Sequence, residues 1–183
     1  MKRLVLDTSG KYVYTAILDD DKLLDEIKTN SNQRHASIVI KTIEDLLKKN
    51  NLTIDDIDEL IGGIGPGTYT GLRVCVTVLK TISYSKNIKL KTISSLYLMS
   101  SYYEGYKLVY NYASKKQTFT CLLFNDEYIY NEEVRDLEEF KNSLNYNYKI
   151  YSDDDFKVNP KKVIKNSKYV DDVFKLVPNY LRG

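Results

Sequence analysis

The chain has 183 residues, enough for two small lobes or one medium domain and too few for a large multidomain enzyme. Apolar types make up 43% and charged types 28%, with eight glycines and three prolines, a balance that excludes disordered and collagen-like chains. Lys and Arg total 27 against 25 Asp and Glu, so a formal charge of +2 cannot organise phosphate binding by bulk attraction, and any nucleic-acid contact is expected to be local or borrowed from a partner.

The N-terminal stretch reads as a meander. Arg3 to Asp7 is a short apolar strand, Tyr12 to Leu18 follows a Ser9-Gly10 turn, and Leu23 to Thr29 follows the acidic turn Asp19-Asp20-Asp21. From His35 to Lys49, Ala36, Val39, Ile40, Ile43, Leu46 and Leu47 share one helical face, and Lys48-Lys49 suit its C-terminus. Thr53 can cap a short turn containing Asp55 and Asp56; Glu59 to Ile64 then reads as a strand entering a glycine-rich loop. A second helix is expected over Leu72 to Ser85, a strand over Ile88 to Ile93, and a helix capped by Ser94 or Ser95 running toward Tyr103.

After Gly105 the order begins again, with strands at Lys107 to Tyr112, Thr118 to Phe124 and Tyr128 to Val134, a helix at Asp136 to Leu144 and a strand at Tyr148 to Tyr151. Two copies of strand, strand, strand, helix, strand imply two mixed sheets covered by helices, an α/β duplicated ribonuclease-H-like or actin-like fold. The expected division is a first lobe at residues 1–104 and a second, reduced lobe at 105–183. Beyond Ser152, Asp153-Asp154-Asp155 and Lys161-Lys162 read as solvated surface, followed by a helix from Ser167 to Leu176 and a tail, Pro178-Asn179-Tyr180-Leu181-Arg182.

No apolar run approaches the ~20 residues of a membrane span, so no membrane partner is expected. Met1-Lys2-Arg3-Leu4-Val5-Leu6-Asp7 also places an acid where a signal peptide keeps its apolar core, and a cytoplasmic protein is expected. Cys75 and Cys121 sit apart in apolar runs and read as reduced, buried thiols. Seventeen tyrosines without a tryptophan read as AT-rich coding composition, not as base-stacking surface.

The strongest local signal is Gly65-Pro66-Gly67-Thr68-Tyr69-Thr70-Gly71-Leu72-Arg73, between a strand and a helix. Glycines there permit unusual backbone angles, and free amides at a helix start attract anions, so Gly65, Gly67, Thr68, Thr70, Gly71 and Arg73 are candidate anion or nucleotide contacts. The string is not a Walker A loop, because Leu72-Arg73 stands where Lys-Ser/Thr is required. A tight connector without a ligand is the alternative. Asp7-Thr8-Ser9 ends the first strand, where actin-like ATPases reach a magnesium-bound phosphate; a turn and capping role for Asp7 is the other reading. The only histidine, His35, excludes two-histidine metal motifs, and with two separated cysteines no metal site and no catalytic residue are expected.

Asp7-Thr8-Ser9, Arg34-His35 at a helix start, the Gly65 to Arg73 string, Ile93-Ser94-Ser95-Leu96 and the Pro178 to Arg182 tail together resemble the TsaB family, formerly YeaZ. The resemblance implies an actin-like, noncatalytic subunit of the machinery that makes N6-threonylcarbamoyladenosine beside the anticodon of tRNA. It implies pairing with the catalytic paralogue TsaD, recruitment of the ATPase TsaE, and tRNA contact through the complex. No cofactor is expected in the isolated chain, with ATP or ADP entering only within the complex. Family members pair through their first two helices, with TsaD or with a second copy. Here that face includes Arg34, His35, Ile38 and Thr42 of the first helix, with either Val74 and Val78 or Leu72 and Val76 of the second left at the surface. Two departures stand out: Tyr112-Ala113-Ser114 replaces the family's Asp-Ala-Arg string, and the second lobe is expected to be short. The competing readings are an independent ATPase or small-molecule kinase of the same fold and, weakest, a protease.

Overall fold

The structure, a computed structural model, describes residues 1–32, 34–114 and 117–181. Arg182 of the expected tail lies outside the described residues. The first sheet begins with β1 (Lys2–Asp7), β2 (Tyr12–Asp19) and β3 (Lys22–Asn30), an antiparallel meander. Helix α1 (His35–Lys49) leads through a 3₁₀ turn at Ile54–Asp56 to β4 (Glu59–Gly63), which pairs parallel with β1. The turn is fixed by a capping box in which the Thr53 hydroxyl and amide both donate to the Asp56 carboxylate, at 2.9 and 2.8 Å. Helix α2 (Tyr69–Lys86), closed by Asn87 in the left-handed region, is followed by β5 (Lys89–Ile93), parallel to β4.

After α3 (Ser95–Ser100), capped by the Ser94 hydroxyl, a second sheet forms from β6 (Tyr106–Tyr112), β7 (Thr118–Phe124), β8 (Glu127–Arg135) and, beyond α4 (Leu137–Ser143), β9 (Lys149–Tyr151). Its strand order is β8-β7-β6-β9, with β9 parallel to β6 as β4 is to β1. The duplicated topology is therefore present, and the chain is an α/β protein of the actin-like type.

Three apolar clusters explain the layering. β1 reads Leu4-Val5-Leu6 without polar alternation because both of its faces are covered. Leu4 and Leu6 pack with Val39, Leu46, Cys75 and Leu79 beneath α1 and α2. Val5 faces the inter-sheet cluster, which holds Leu96 and Leu98 of α3 with Val109 and Cys121 of the second sheet. A small third cluster, Leu108, Leu122 and Phe140, seats α4 on the outer face of the second sheet. Cys75 and Cys121 are both free and buried.

Several expectations need correction. The inner face of α1 is His35, Val39, Thr42, Ile43, Leu46 and Leu47, while Ala36 and Ile40 are exposed. Two polar residues can turn inward because each has a partner: His35 Nε2 lies 2.8 Å from the Gly10 carbonyl, and the Thr42 hydroxyl donates to Ile38 O at 2.8 Å. The helix expected from Ser167 to Leu176 does not form. Instead β10 (Lys168–Tyr169) adds to β5 at the edge of the first sheet, giving the order β10-β5-β4-β1-β2-β3, and a 3₁₀ turn spans Val173–Lys175. Val170, Val173 and Leu176, spaced by three, pack on the first sheet's cluster, a spacing that suits this tighter path.

Residues read as solvated also carry contacts. Asp153, in a 3₁₀ turn at Asp153–Asp155, accepts the Lys11 amide at 2.8 Å. Lys162, in α5 (Pro160–Asn166), bridges Glu104 at 2.7 Å and Asp126 at 3.1 Å. No helix among the described residues is long and apolar enough to cross a membrane.

Four strands of the first sheet meet at one buried acid. Glu59 receives Arg3 Nε at 2.8 Å and the Tyr169 hydroxyl at 2.5 Å, with Lys91 Nζ at 3.6 Å. Burial pushes its carboxyl up, but the Tyr169 and Arg3 bonds and the Lys91 charge prevail and hold it below the ordinary glutamate range. Its stabilising contribution is thus present at neutral pH and lost as pH falls through the carboxylate range. Glu59→Ala, which strands two cations, is expected to destabilise the fold by about 3 kcal/mol. Thermal melts of the variant and wild type at pH 7 check this, and a change below ~0.5 kcal/mol would contradict a structural role for the cluster.

Candidate functional site

The end of β1 and the loop before α2 form one closely packed unit. Asp7, Thr8 and Ser9 are all buried. The Thr8 hydroxyl donates to the Gly71 carbonyl at 2.6 Å, and the Thr68 amide donates to Ser9 O at 2.7 Å. A β-carbon at Gly71 would lie 1.9 Å from Thr8 O, and one at Gly67 would lie 2.4 Å from Ser9 O, so both glycines are dictated by backbone approach. Gly65, which precedes Pro66 through a cis bond, has φ +116° and passes its amide to Ser95 Oγ at 2.9 Å. The glycine-rich string thus brings Gly65, Gly67 and Gly71 into the interior as a connector, and leaves Thr68, Tyr69, Thr70 and Arg73 at the surface.

Arg73 is occupied by its own chain. Its guanidinium lies 4.3 Å from the Tyr69 ring centroid, its Nε donates to the Tyr180 hydroxyl at 3.3 Å, and Tyr180 stacks on Tyr69 at 5.1 Å. The Asn179 amide donates to Ile64 O at 2.8 Å, and Leu181 joins the inter-sheet cluster. A tail seated on the loop was not legible from spacing. Tyr69, four residues before Arg73 on a helix, was the available signal.

Asp7 is the electrostatic singularity of the site. Its Oδ1 accepts the Ser9 amide at 2.8 Å and the Ser9 hydroxyl at 2.7 Å, whereas Oδ2 has no hydrogen-bond partner and presses against Gly63, where a β-carbon would sit 1.8 Å away. The Ser95 hydroxyl stands nearby without closing a well-formed bond to it. Burial pushes the carboxyl up to about 6, against the pull of the Ser95 and Ser9 groups. A phosphate-bound magnesium ion, which the actin-like fold implies, does not fit these side chains. Asp7 is sealed beneath the loop, the corresponding strand end in the second sheet carries Tyr112-Ala113-Ser114, and among the described residues no three His, Cys, Asp or Glu side chains could share a metal.

The candidate seam between α1 and α2 resolves one alternative. Leu72 and Val76 are buried, so they do not form the surface flank; Val74 and Val78 are half-buried and do. Ile38 is half-buried beside them, Arg34 is exposed, and His35 and Thr42 are turned inward. The seam continues into an apolar groove of about 390 Å³ lined by Ile40, Ile43, Leu47, Leu52, Ile54 and Ile82. Helical phase places Ile40 on the core face, yet it is 49% exposed.

A cavity of about 440 Å³, not anticipated from the sequence, lies where β4 and β5 end. There the Tyr97 hydroxyl donates to Asp126 at 2.9 Å and accepts from the Asn166 side chain at 2.7 Å, while Ser94 and Tyr128 both donate to Glu132. Burial raises the Glu132 carboxyl, with the Ser94 and Tyr128 bonds acting against it. These groups come from segments distant in sequence, so no local motif announces them.

Two outcomes follow from this geometry. Gly71→Ala is expected to lower stability by roughly 2 kcal/mol or more, because either α2 or β1 must move; a melting temperature equal to wild type would refute the close approach. Asp7 binds a proton more readily folded than unfolded, so its contribution makes stability fall as pH rises between roughly 4 and 6. Asp7→Asn should flatten that slope and raise the melting temperature at pH 7 while changing little at pH 4. Denaturant titrations across this range test it, and an unchanged slope would count against a buried, titrating Asp7.

With this geometry in place, the chain can be set beside known proteins. The family model described as TsaD, tRNA N6-adenosine threonylcarbamoyltransferase, matches residues 22–114, half of the chain. The tRNA threonylcarbamoyladenosine biosynthesis protein TsaB of Bacillus subtilis is 31% identical over 96 residues, covering 52% of this chain and 42% of that protein. TsaB of Escherichia coli is 22% identical over 100 residues, covering 55% and 43%. The chain thus spans under half the length of these curated relatives. The solved structure of YeaZ from Pseudomonas aeruginosa superposes with a TM-score of 0.78 at 15% identity, over 98% of this chain and 99% of that one, which establishes a common fold. The matched segment runs from the start of β3 through α1, the glycine loop, α2 and β6, and on these grounds the chain belongs to the TsaD-type threonylcarbamoyltransferase family, in its TsaB (YeaZ) branch.

Proposed function

We propose that the chain is a noncatalytic scaffold in the complex that makes N6-threonylcarbamoyladenosine in tRNA, pairing with a TsaD-type catalytic paralogue. The observation that carries this reading is the α1–α2 seam. Val74, Val78, Ile38 and Ile82 are only partly covered by their own chain, and the exposed Ile40 extends them into an apolar groove. A soluble chain leaves such a stripe open where another protein covers it. In this reading TsaE joins the assembled pair, tRNA is held by the complex, and in the absence of the paralogue a second copy takes its place. The assembly works in the cytoplasm. The lobes are residues 1–104, which carry the seam, and 105–183, whose Lys168–Tyr169 strand returns to the first sheet.

The chemistry of the site supports assigning catalysis elsewhere. Among the described residues no three His, Cys, Asp or Glu side chains come together to hold a metal at Asp7, Arg73 is engaged by Tyr180, and the loop glycines are filled by backbone, so a nucleotide is proposed to bind only within the complex. The buried state of both cysteines and the engagement of His35 with Gly10 O likewise supply no nucleophile and base pair for a protease. The competing reading, an independent ATPase or kinase, requires ATP turnover by the isolated chain that disappears in Asp7→Asn.

The test is co-elution with the paralogue from the same organism. Val74→Glu and Val78→Glu should melt within a few degrees of wild type, since both side chains are half-exposed, yet weaken association at least tenfold by placing an unpaired charge in the seam. Val76→Glu serves as contrast and should lower the melting temperature itself, because Val76 is buried. If both surface variants bind like wild type, the seam is not the interface.

A further inference from the structure

The C-terminal segment treats α2 as a rail. From β10 onward it runs back along the helix, from its C-terminal end toward its N-terminal end, and joins two apolar clusters that otherwise lie on opposite faces of the first sheet. Its first part is anchored. β10 pairs with β5, the Val170 amide donates to Leu90 O at 3.0 Å, and Val170, Val173 and Leu176 pack on the cluster beneath α2. Lys80 Nζ then donates to the carbonyls of Phe174 and Leu176 at 2.9 and 3.2 Å.

Beyond Leu176 the character of the contacts changes. Val177 is 68% exposed, and Pro178 follows it. The tip is held by one backbone bond, Asn179 N to Ile64 O, by the exposed Tyr69–Tyr180 stack and its bond to Arg73, and by Leu181. Tyr180 and Leu181 form one wall of an open cavity of about 230 Å³ whose other walls are Gly67, Thr68, Tyr69, Ala113 and Phe119. Tyr69 belongs to α2 beside the first sheet, whereas Ala113 and Phe119 belong to the second. The tip therefore closes the mouth of the cleft between the two sheets, directly over the glycine loop.

We infer that residues 178–181 are a releasable clasp across this cleft, hinged at Val177–Pro178, while residues 168–176 stay fixed to the first sheet. Closed, the clasp ties the start of α2 to the second sheet. Open, it uncovers Ile64 O, the surface of the glycine loop and the Phe119 side chain, which together make an apolar slot with a backbone acceptor at its floor. The asymmetry of the contacts carries the inference. The anchored part has a strand pairing, three partly buried apolar side chains and a lysine clamp, whereas the tip has one backbone bond, an aromatic stack with Tyr69 and one partly buried side chain, Leu181, few enough contacts to break without the fold. The clasp is independent of which partner covers the seam.

Amide hydrogen exchange on the full chain tests it, with Val170 as the anchored reference. In wild type the Asn179 amide should exchange at least tenfold faster than Val170 but at least tenfold slower than a free chain, because the tip opens locally while β10 opens only with the sheet. Tyr180→Ala should bring Asn179 close to the free-chain rate with Val170 unchanged, and Tyr180→Phe, which keeps the stack, should retain most of the protection. As a second readout, the thiol of Leu181→Cys should react at least tenfold more slowly than in the unfolded chain, and lose that protection when combined with Tyr180→Ala. Equal exchange at Asn179 and Val170 would show that the segment moves as one piece. Free-chain exchange at Asn179 in wild type would show that the tip never docks. Either result overturns the clasp.

Discussion

Everything at the candidate site depends on how near two backbones come. Where β1 ends, the carbonyls of Thr8 and Ser9 lie so close to the start of α2 that positions 67 and 71 have no room for a side chain. The Thr68 amide and the Thr8 hydroxyl then join the two segments with short bonds. This contact sets where α2 starts, and α2 in turn is the element on which the half-covered apolar flank and the C-terminal segment are both arranged. The glycine loop is therefore an assembly joint. The same composition that would let a backbone wrap a phosphate here lets one backbone wrap another.

Helix α2 distributes its surface among three neighbours. Leu72, Cys75, Val76 and Leu79 face the sheet; Tyr69, Arg73, Lys80 and Tyr84 meet the returning C-terminal segment; Val74, Val78 and Ile82 remain half-covered beside α1. A helix that serves only its own core needs an apolar arc of a little over ~100°. The excess is divided between an internal strap and an open flank. Electrostatics follow the same economy. Glu59 is held ionised because three neighbouring strands bring it two cations and a hydroxyl, whereas Asp7 is pushed toward the neutral form because burial gave it one good pair of donors and left its other oxygen without any.

Much of this architecture was legible in the residues. The repeated order of strands and one helix and the caps at Thr53 and Ser94 follow from local periodicity and short-range hydrogen bonding, which are written in consecutive positions. The glycine string was legible as a special loop, though not that the approach of another backbone dictates Gly67 and Gly71. Helix phase was less secure. Ile40 has the right period for the core and His35 the wrong chemistry, yet His35 is inside and Ile40 is not, because the Gly10 carbonyl supplies a partner that no helical wheel contains.

The sequence by itself determined the alternation of elements, the apolar character of β1, the surplus of apolar residues on α2 and the absence of histidine pairs, since each is a property of spacing or of residue inventory. Only the tertiary structure decided which flank of α2 stays open, that Arg73 is spent on Tyr180, that residues 168–181 run as a strand and strap instead of a helix, and that Asp7 lies sealed beneath the loop. Those outcomes turn on partners far apart in sequence, or on space left between segments. Neither pairing across such distances nor the room for a β-carbon is encoded in any local window of the chain.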